Sequence, residues 1–122
     1  EMALAAVGLV NSDLFYFWWM TQCDEFHVLL SEVLSFPVAP SACTDCAFLD
    51  ATSRLMDDYR AKAIRKSLNV AGHTVEMDEI HARLSRDIIL QLDELLAPHY
   101  GLTADELRFV QTYDEEFRVS EE

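Results

Sequence analysis

The fold of this chain is decided near its start, by the sequence Asn11-Ser12-Asp13-Leu14-Phe15-Tyr16-Phe17-Trp18-Trp19-Met20. Large apolar or aromatic side chains follow one another without interruption from Leu14 to Met20, and both tryptophans of the chain are among them. A helix that is apolar on every side is normally buried on every side. The polar residues that precede it are favourable N-cap types. We therefore predict a buried aromatic helix over 13–24, with Leu14, Phe17 and Trp18 in the core.

The sequence around this aromatic helix predicts further helices that cover it. An apolar helix is expected over 2–10. Apolar residues at three- and four-residue spacing predict a long helix over 45–68 and another over 86–97. Ser85 is the predicted N-cap of the latter, and Thr103 opens a capping box that begins the last helix. We expect both long apolar stripes to pack on the aromatic helix.

Shorter segments connect these helices. A short helical turn is predicted over 31–34, and the proline-containing stretch 35–44 is the one clear connector. Alternating apolar and polar residues over 73–80 indicate a strand. The acidic tail from Tyr113 is expected to fray. The last helix is expected to bury apolar side chains along one face: Leu107, Val110 and Phe109.

Length and composition predict one mainly α domain over 1–122. The chain has 122 residues, of which 51% are apolar, and only three glycines and three prolines, as expected for a globular, helix-rich protein. We predict a small helical bundle around the buried aromatic helix, with at most a short strand pair near 70–82. Within it, 1–37 is the aromatic helical part and 45–122 the second helical part.

Charge and cysteine content limit the possible partners and the cellular compartment of the chain. The net charge of −13 repels nucleic acid at long range, which counts against an isolated DNA-binding module. Three cysteines without a dense framework favour a reducing cytoplasm. A carboxylate at Asp13, in the middle of the apolar run 2–20, argues against a membrane span. The first residue is Glu1 rather than methionine, which indicates a piece of a longer chain.

An ordered series of motifs resembles the C-terminal part of adenine-specific DNA methyltransferases. The resemblance includes the branch with fused restriction-modification enzymes, in which this part belongs to the target-recognition region. It spans nearly the whole chain, and the order of the motifs is more specific than any one of them. The motifs are Asn11-Ser12 with Leu14-Phe15, the connection led by His27, Phe36-Pro37, residues 56–60, 75–80 and 92–96, His99-Tyr100-Gly101-Leu102-Thr103, Glu106-Leu107, and Tyr113-Asp114.

The resemblance implies that the chain is a non-catalytic C-terminal fragment of a bacterial or archaeal cytoplasmic enzyme. Such a parent uses S-adenosylmethionine, which requires a glycine-rich cofactor motif and an Asn-Pro-Pro-aromatic motif for the target amine. Neither motif occurs in this sequence. The implied partners are duplex DNA, bound through the full-length protein, and the catalytic methyltransferase domain of the same chain, with no membrane.

One basic stretch is the candidate DNA-backbone contact. Between Tyr59 and Val75 the sequence contains no acid. Local positive charge of this kind suits phosphate binding, because each neutralised phosphate releases counterions. The other interpretation is a helix C-terminus whose cations complement the helix dipole. The candidate residues are Arg60, Lys62, Arg65 and Lys66.

Cysteine and histidine patterns are weaker candidates for metal or redox sites. Cys43-x-x-Cys46 is half of a zinc site or a redox pair, but no second pair follows. His73 and His81 on one strand would lie roughly 26 Å apart, so one ion could join them only if a hairpin brought them together, and nothing in the sequence specifies one. We predict incidental thiols and solvated or capping histidines.

Adjacent carboxylates give no acid/base pair by sequence. Asp57 with Asp58, and Asp93 with Glu94, are neighbours on predicted helices, where consecutive side chains point in different directions. We predict that these four carboxylates lie on charged, solvated faces.

A second function is consistent with the same composition. An acidic helical module for protein–protein interaction would explain the net charge, and it would have a self-sufficient core and a partner with a basic surface.

Overall fold

The protein is mainly helical with one two-stranded antiparallel sheet, which confirms the predicted fold class. The structure is a computed structural model that describes residues 2–22 and 30–117. No helix among these residues is both long enough and apolar enough to span a membrane. The elements are α1 (Met2–Asn11), α2 (Asp13–Gln22), α3 (Leu30–Ser35), α4 (Cys46–Lys62), β1 (Ile64–Val70), β2 (His73–Glu79), α5 (Arg86–Leu96) and α6 (Ala104–Phe117).

The break between α1 and α2 follows from local polar contacts. Ser12 Oγ donates to the carbonyl of Leu9 at 2.7 Å, which satisfies a carbonyl in the last turn of α1. Ser12 Oγ accepts from the backbone N–H of Phe15 at 3.2 Å, as an N-cap does. The predicted start of the aromatic helix at residue 13 is therefore confirmed, and residues 23 and 24 of that prediction lie outside the described part of the chain.

The centre of the core is α4 rather than the aromatic helix. Phe48, Ala51, Thr52 and Leu55 on α4 are all fully buried, and α4 packs mainly against α1 and α5. The approach of α1 depends on Gly8, because a Cβ there would lie 2.3 Å from Thr52 Oγ1. The prediction that α4 packs on the aromatic helix is wrong, since α2 contacts mainly α1, α5 and α6.

The aromatic helix is buried on one side only. Its buried residues are Phe15, Trp19 and Met20, whereas Leu14, Phe17 and Trp18, predicted as core, are half-buried. A consecutive apolar run places side chains on every face, but this small domain covers only one of them. The half-buried rings contact other elements: Phe17 packs on Tyr113 of α6 at 5.1 Å, and Trp18 packs on the buried ring of Phe36 at 5.3 Å between centroids.

The predicted helix over 45–68 is wrong at its end. The helix stops at Lys62, and residues 64–70 form β1, which pairs with β2 in the register Leu68↔Val75. Ala71 and Gly72 both have positive φ, at 53° and 84°, as a two-residue hairpin turn of type I′ requires. Alternation of apolar and polar residues from Ile64 was the overlooked signal. The strand predicted over 73–80 is confirmed, and the pair covers 64–79 rather than 70–82.

The C-terminal helices begin in two different ways. Ser85 stands before α5 as predicted, but its hydroxyl donates to Asp58 Oδ2 at 2.6 Å instead of capping the helix. The capping box of α6 is confirmed: the Thr103 N–H donates to Glu106 Oε1 at 2.8 Å, and the Glu106 N–H donates to Thr103 Oγ1 at 3.1 Å. Of the apolar residues predicted to be buried on α6, only Val110 is, while Leu107 is half-buried and Phe109 is 43% exposed.

The ends of the remaining segments are also resolved. The predicted turn over 31–34 lies within α3, and the connector over 35–44 contains a 3-10 helix at Pro40–Thr44. Helix α6 continues past Tyr113 to Phe117, and the expected fraying of the acidic tail stays a prediction. Residues 118–122 of the acidic tail lie outside the described part.

Candidate functional site

The basic stretch is divided between two elements. Arg60 and Lys62 lie in the last turn of α4, as the helix-dipole interpretation expects, whereas Arg65 and Lys66 lie on β1. The hairpin turn folds the acidic strand β2 back beside β1. The stretch therefore lacks acids in the sequence but has them as neighbours in space.

Each of the four candidate cations has a carboxylate partner. Arg65 lies 3.1 Å from Glu76 and 3.2 Å from Asp78, and both contacts raise the pKa of the Arg65 guanidinium. A phosphate bound here would have to replace or supplement these carboxylates. The other pairs are Lys66–Glu79 at 3.0 Å, Lys62–Asp58 at 2.9 Å and Arg60–Asp57 at 3.2 Å.

The hairpin has one polar and one apolar face. Side chains alternate across a strand, and antiparallel partners share a face. The ion pairs of Arg65 with Glu76 and Asp78 therefore lie on one face. The other face is mainly apolar, and the Lys66–Glu79 ion pair lies at its end next to α4. A two-stranded hairpin is marginally stable in water unless its apolar face packs on something. The apolar side chains, each between 44% and 54% exposed, are Ile64, Leu68, Val70, Val75 and Met77.

A buried carboxyl pair joins three helices, and sequence reasoning missed it. Asp93 on α5 is 1% exposed, so the prediction that it lies on a solvated face is wrong. Its Oδ1 accepts from the backbone N–H of Asp13 at 2.9 Å, and its Oδ2 accepts from Gln111 Nε2 at 3.2 Å. Arg86 Nη1 donates to Asp13 Oδ1 at 2.7 Å, and Arg86 Nη2 donates to the carbonyl of Gln111 at 3.1 Å. The signal for burial was available, since Asp93 lies within the apolar stripe of α5.

The environment of this pair favours a proton on Asp93. Burial, followed by the hydrogen-bonded carboxyl group of Asp13 and its charge, raises the pKa of Asp93 to about 8. Asp13 Oδ2 is buried and accepts no hydrogen bond from any other described group. A proton on Asp93 would supply that bond, so that the two carboxyl groups share one negative charge.

A cleft of about 370 Å³ opens beside the pair. Two of its lining residues are joined by the bond from the Tyr59 hydroxyl to Asn11 Oδ1 at 2.9 Å. Burial raises the pKa of Tyr59, so the phenol keeps its proton for this bond. Two arginines and one carboxylate line this cleft, whose lining includes Asn11, Asp13, Tyr16, Tyr59, Arg83 and Arg86.

A second polar chain was also missed by sequence reasoning. His99 Nε2 lies 2.8 Å from Asp45 Oδ2, and His99 Nδ1 lies 2.7 Å from Ser41 Oγ. Asp45 Oδ1 meanwhile caps α4 by accepting from the N–H groups of Ala47 and Phe48. The hydrogen bond with His99 and these backbone bonds hold the pKa of Asp45 below its usual value. The chain contains the residue types of a nucleophilic triad, but its contacts fix the start of α4 against the segment before α6.

The cysteine and histidine candidates remain separate. Cys43 lies in a 3-10 helix and Cys46 begins α4, and both are free thiols. His73 begins β2, while His81 Nε2 lies 2.9 Å from Glu79 Oε1. Within residues 2–22 and 30–117, no three His, Cys, Asp or Glu side chains are arranged to hold a metal ion.

Comparison with known proteins finds no relative. No family model, no curated protein and no solved structure matches this chain.

Proposed function

We propose that this chain is the non-catalytic C-terminal part of the recognition region of an adenine-specific DNA methyltransferase or restriction-modification enzyme. In the full-length cytoplasmic protein it would help to position duplex DNA, while a separate domain binds S-adenosylmethionine and transfers the methyl group. What supports the proposal in the sequence is the order of motifs, which runs from Asn11-Ser12 to Tyr113-Asp114.

The exposed apolar face of the hairpin is the structural observation that carries the proposal. Leu68 and Val75 pair across the two strands and are 47% and 44% exposed. Apolar residues of α1 are exposed as well, including Met2 at 69% and Val10 at 40%. Apolar surface of this kind usually marks an interaction site. It suits a part that packs against the catalytic domain of a longer chain.

The proposed DNA contact uses the basic stretch. Arg60, Lys62, Arg65 and Lys66 would exchange their carboxylate partners for phosphates, with the acidic faces turned away from DNA. Surface ion pairs contribute only about 0–1 kcal/mol, so such an exchange has a low cost. The isolated chain should bind duplex DNA weakly near physiological salt, because a net charge of −13 opposes approach.

The test is the salt dependence of DNA binding by the full-length parent. Changing Arg60, Lys62, Arg65 and Lys66 together to Gln should weaken binding to all sequences alike. It should flatten the slope of log K against log salt by about 0.9 per lost phosphate contact. Arg54→Gln is the control, because Arg54 lies on α4 outside the stretch and bonds Gln91. An unchanged slope combined with a lower melting temperature would end the DNA role of the stretch.

A second experiment examines the fragment hypothesis itself. Calorimetry of the isolated chain with S-adenosylmethionine should give no saturable heat, and methyl transfer should be absent. Saturable binding at micromolar concentration would overturn the proposal that cofactor binding resides in a separate domain.

One observation favours a different function, an acidic helical module for protein–protein interaction. The ion pairs of the four candidate cations leave the strongly acidic surface without a free basic patch in that region. The gene sequence preceding Glu1 would discriminate between the two. A cofactor motif followed by Asn-Pro-Pro-aromatic supports the methyltransferase, and a start codon directly before Glu1 supports the module.

A further inference from the structure

A groove between α2 and α6 combines an apolar floor with an acidic rim. It encloses about 380 Å³ and is lined by Phe17 from α2 and by residues at the start of α6. We call this the α2–α6 groove. Its lining residues are Phe17, Leu102, Asp105, Glu106, Phe109 and Val110.

The floor of the groove is aromatic and held in place. Phe17 and Phe109 meet edge to face at 5.8 Å between ring centroids, and Tyr113 packs against both rings. Val110, which also lines the groove, is buried, whereas Phe109 remains 43% exposed. An aromatic ring that is fixed by its neighbours and open on one side can bury a further apolar side chain with little loss of conformational entropy.

The rim of the groove is acidic. Asp105 and Glu106 both lie in the first turn of α6 and are exposed. Glu106 is engaged in the capping box through its Oε1. Among the residues that the structure describes, no cation pairs with the carboxylate of Asp105. The rim can therefore accept positive charge from outside without first giving up an ion pair.

We propose that the α2–α6 groove binds a segment of another protein that presents one large apolar side chain flanked by lysine or arginine. The apolar side chain would lie on Phe17 and Phe109, and its basic neighbours would pair with Asp105 and Glu106. The net charge of −13 adds long-range attraction for a basic partner. A second copy of this chain fits poorly, because the same charge opposes self-association. This inference does not depend on the proposed DNA function.

The test is fluorescence anisotropy of the full 122-residue chain with a labelled peptide of sequence Ser-Lys-Arg-Phe-Lys-Arg-Ser. Two control peptides carry serine in place of the phenylalanine, or glutamate in place of each basic residue. Binding of the first peptide should be saturable and should weaken as salt is raised. Both control peptides should bind at least about tenfold more weakly, which corresponds to about 1.4 kcal/mol.

Variants locate the site and keep the test independent of folding. Asp105→Lys should lower the affinity for the phenylalanine peptide about three- to tenfold, as expected for reversal of one rim charge. Asp87→Lys is the matched control, because Asp87 is also an exposed acid in the first turn of a helix, α5, and does not line the groove. Phe109→Ala should weaken binding about tenfold or more, and circular dichroism checks that it folds.

Three results would overturn the inference. The first is an equal loss of affinity in Asp105→Lys and Asp87→Lys, which would mean attraction by overall charge alone. The second is undiminished binding of the serine peptide, which would mean that the floor takes no part. The third is no binding of the phenylalanine peptide at low salt.

Discussion

The backbone N–H of Asp13 donates a hydrogen bond of 2.9 Å to the buried carboxyl group of Asp93, which connects the first turn of α2 to the middle of α5. The two residues are 80 positions apart in the sequence. Their carboxyl groups also face one another, so the contact is favourable only while one of them carries a proton. The stability of this helical core should therefore depend on pH at a single buried pair.

The Asp93 pair predicts a loss of stability as pH rises. The folded-state pKa of Asp93, about 8, is above its unfolded value near 3.8, so the folded state binds more protons between these values. The stability that the protonated Asp93 contributes to the folded state is complete below about pH 4 and is lost as pH rises toward 8. The melting temperature of the unsubstituted chain should fall by several degrees between pH 5 and pH 8.

Asp93→Asn isolates this effect, because asparagine does not titrate and its amide N–H can donate to Asp13 Oδ2, although the amide nitrogen cannot accept the bond that Gln111 Nε2 now donates. The melting temperature of Asp93→Asn should change less with pH than that of the unsubstituted chain, and at pH 8 it should equal or exceed that of the unsubstituted chain. Asp87→Asn, an exposed change on the same helix, controls for net charge. Parallel profiles for the parent and Asp93→Asn would show that Asp93 is ionised throughout.

Gly8 predicts a steric requirement between α1 and α4. A methyl group at this position would lie 2.3 Å from Thr52 Oγ1 and 2.6 Å from the ring of Phe48. Gly8→Ala should therefore destabilise the protein by about 1–3 kcal/mol in urea unfolding, despite the better helix propensity of alanine. Ala6→Ser on the exposed side of α1 should change stability little. A gain in stability for Gly8→Ala would mean that the two helices do not approach as described.

Burial predicts that α4 contributes more to stability than the outer face of α2. Leu55 is fully buried on α4, so Leu55→Ala should cost about 2–5 kcal/mol. Trp18 is half-buried on α2, so Trp18→Ala should cost less than Leu55→Ala in the same denaturant titration. The reverse order would restore the aromatic helix as the centre of the core.

Asp45 predicts a second, acid-side pH effect. Asp45→Ala removes the cap of α4 and the partner of His99, and should cost about 1–2 kcal/mol at neutral pH. The folded-state pKa of Asp45 lies below 3.8, so its contribution is present above that value and lost as pH falls through the folded pKa. The melting temperatures of the unsubstituted chain and of Asp45→Ala should therefore converge below about pH 4. A constant difference down to pH 2 would mean that Asp45 acts without its charge.

Local patterns were sufficient for several elements because their causes are local. The Ser12 cap, the α6 capping box and the alternation in β2 each depend on residues within a few positions of one another. The mainly helical class follows in the same way, from apolar periodicity and few helix-breaking residues.

The centre of the core and the state of the charges depended on tertiary structure. The sequence by itself determined that an aromatic run starts a helix at Asp13, but only packing decided which face of that helix is buried. It determined that the stretch around Arg65 is basic, but only the hairpin brought Glu76 and Asp78 beside it. The sequence predicts Asp93 to be a surface acid, but in the folded protein it is buried and accepts hydrogen bonds from α2 and α6. Electrostatic energy depends on distances and burial, and neither is fixed until residues far apart in the sequence have met.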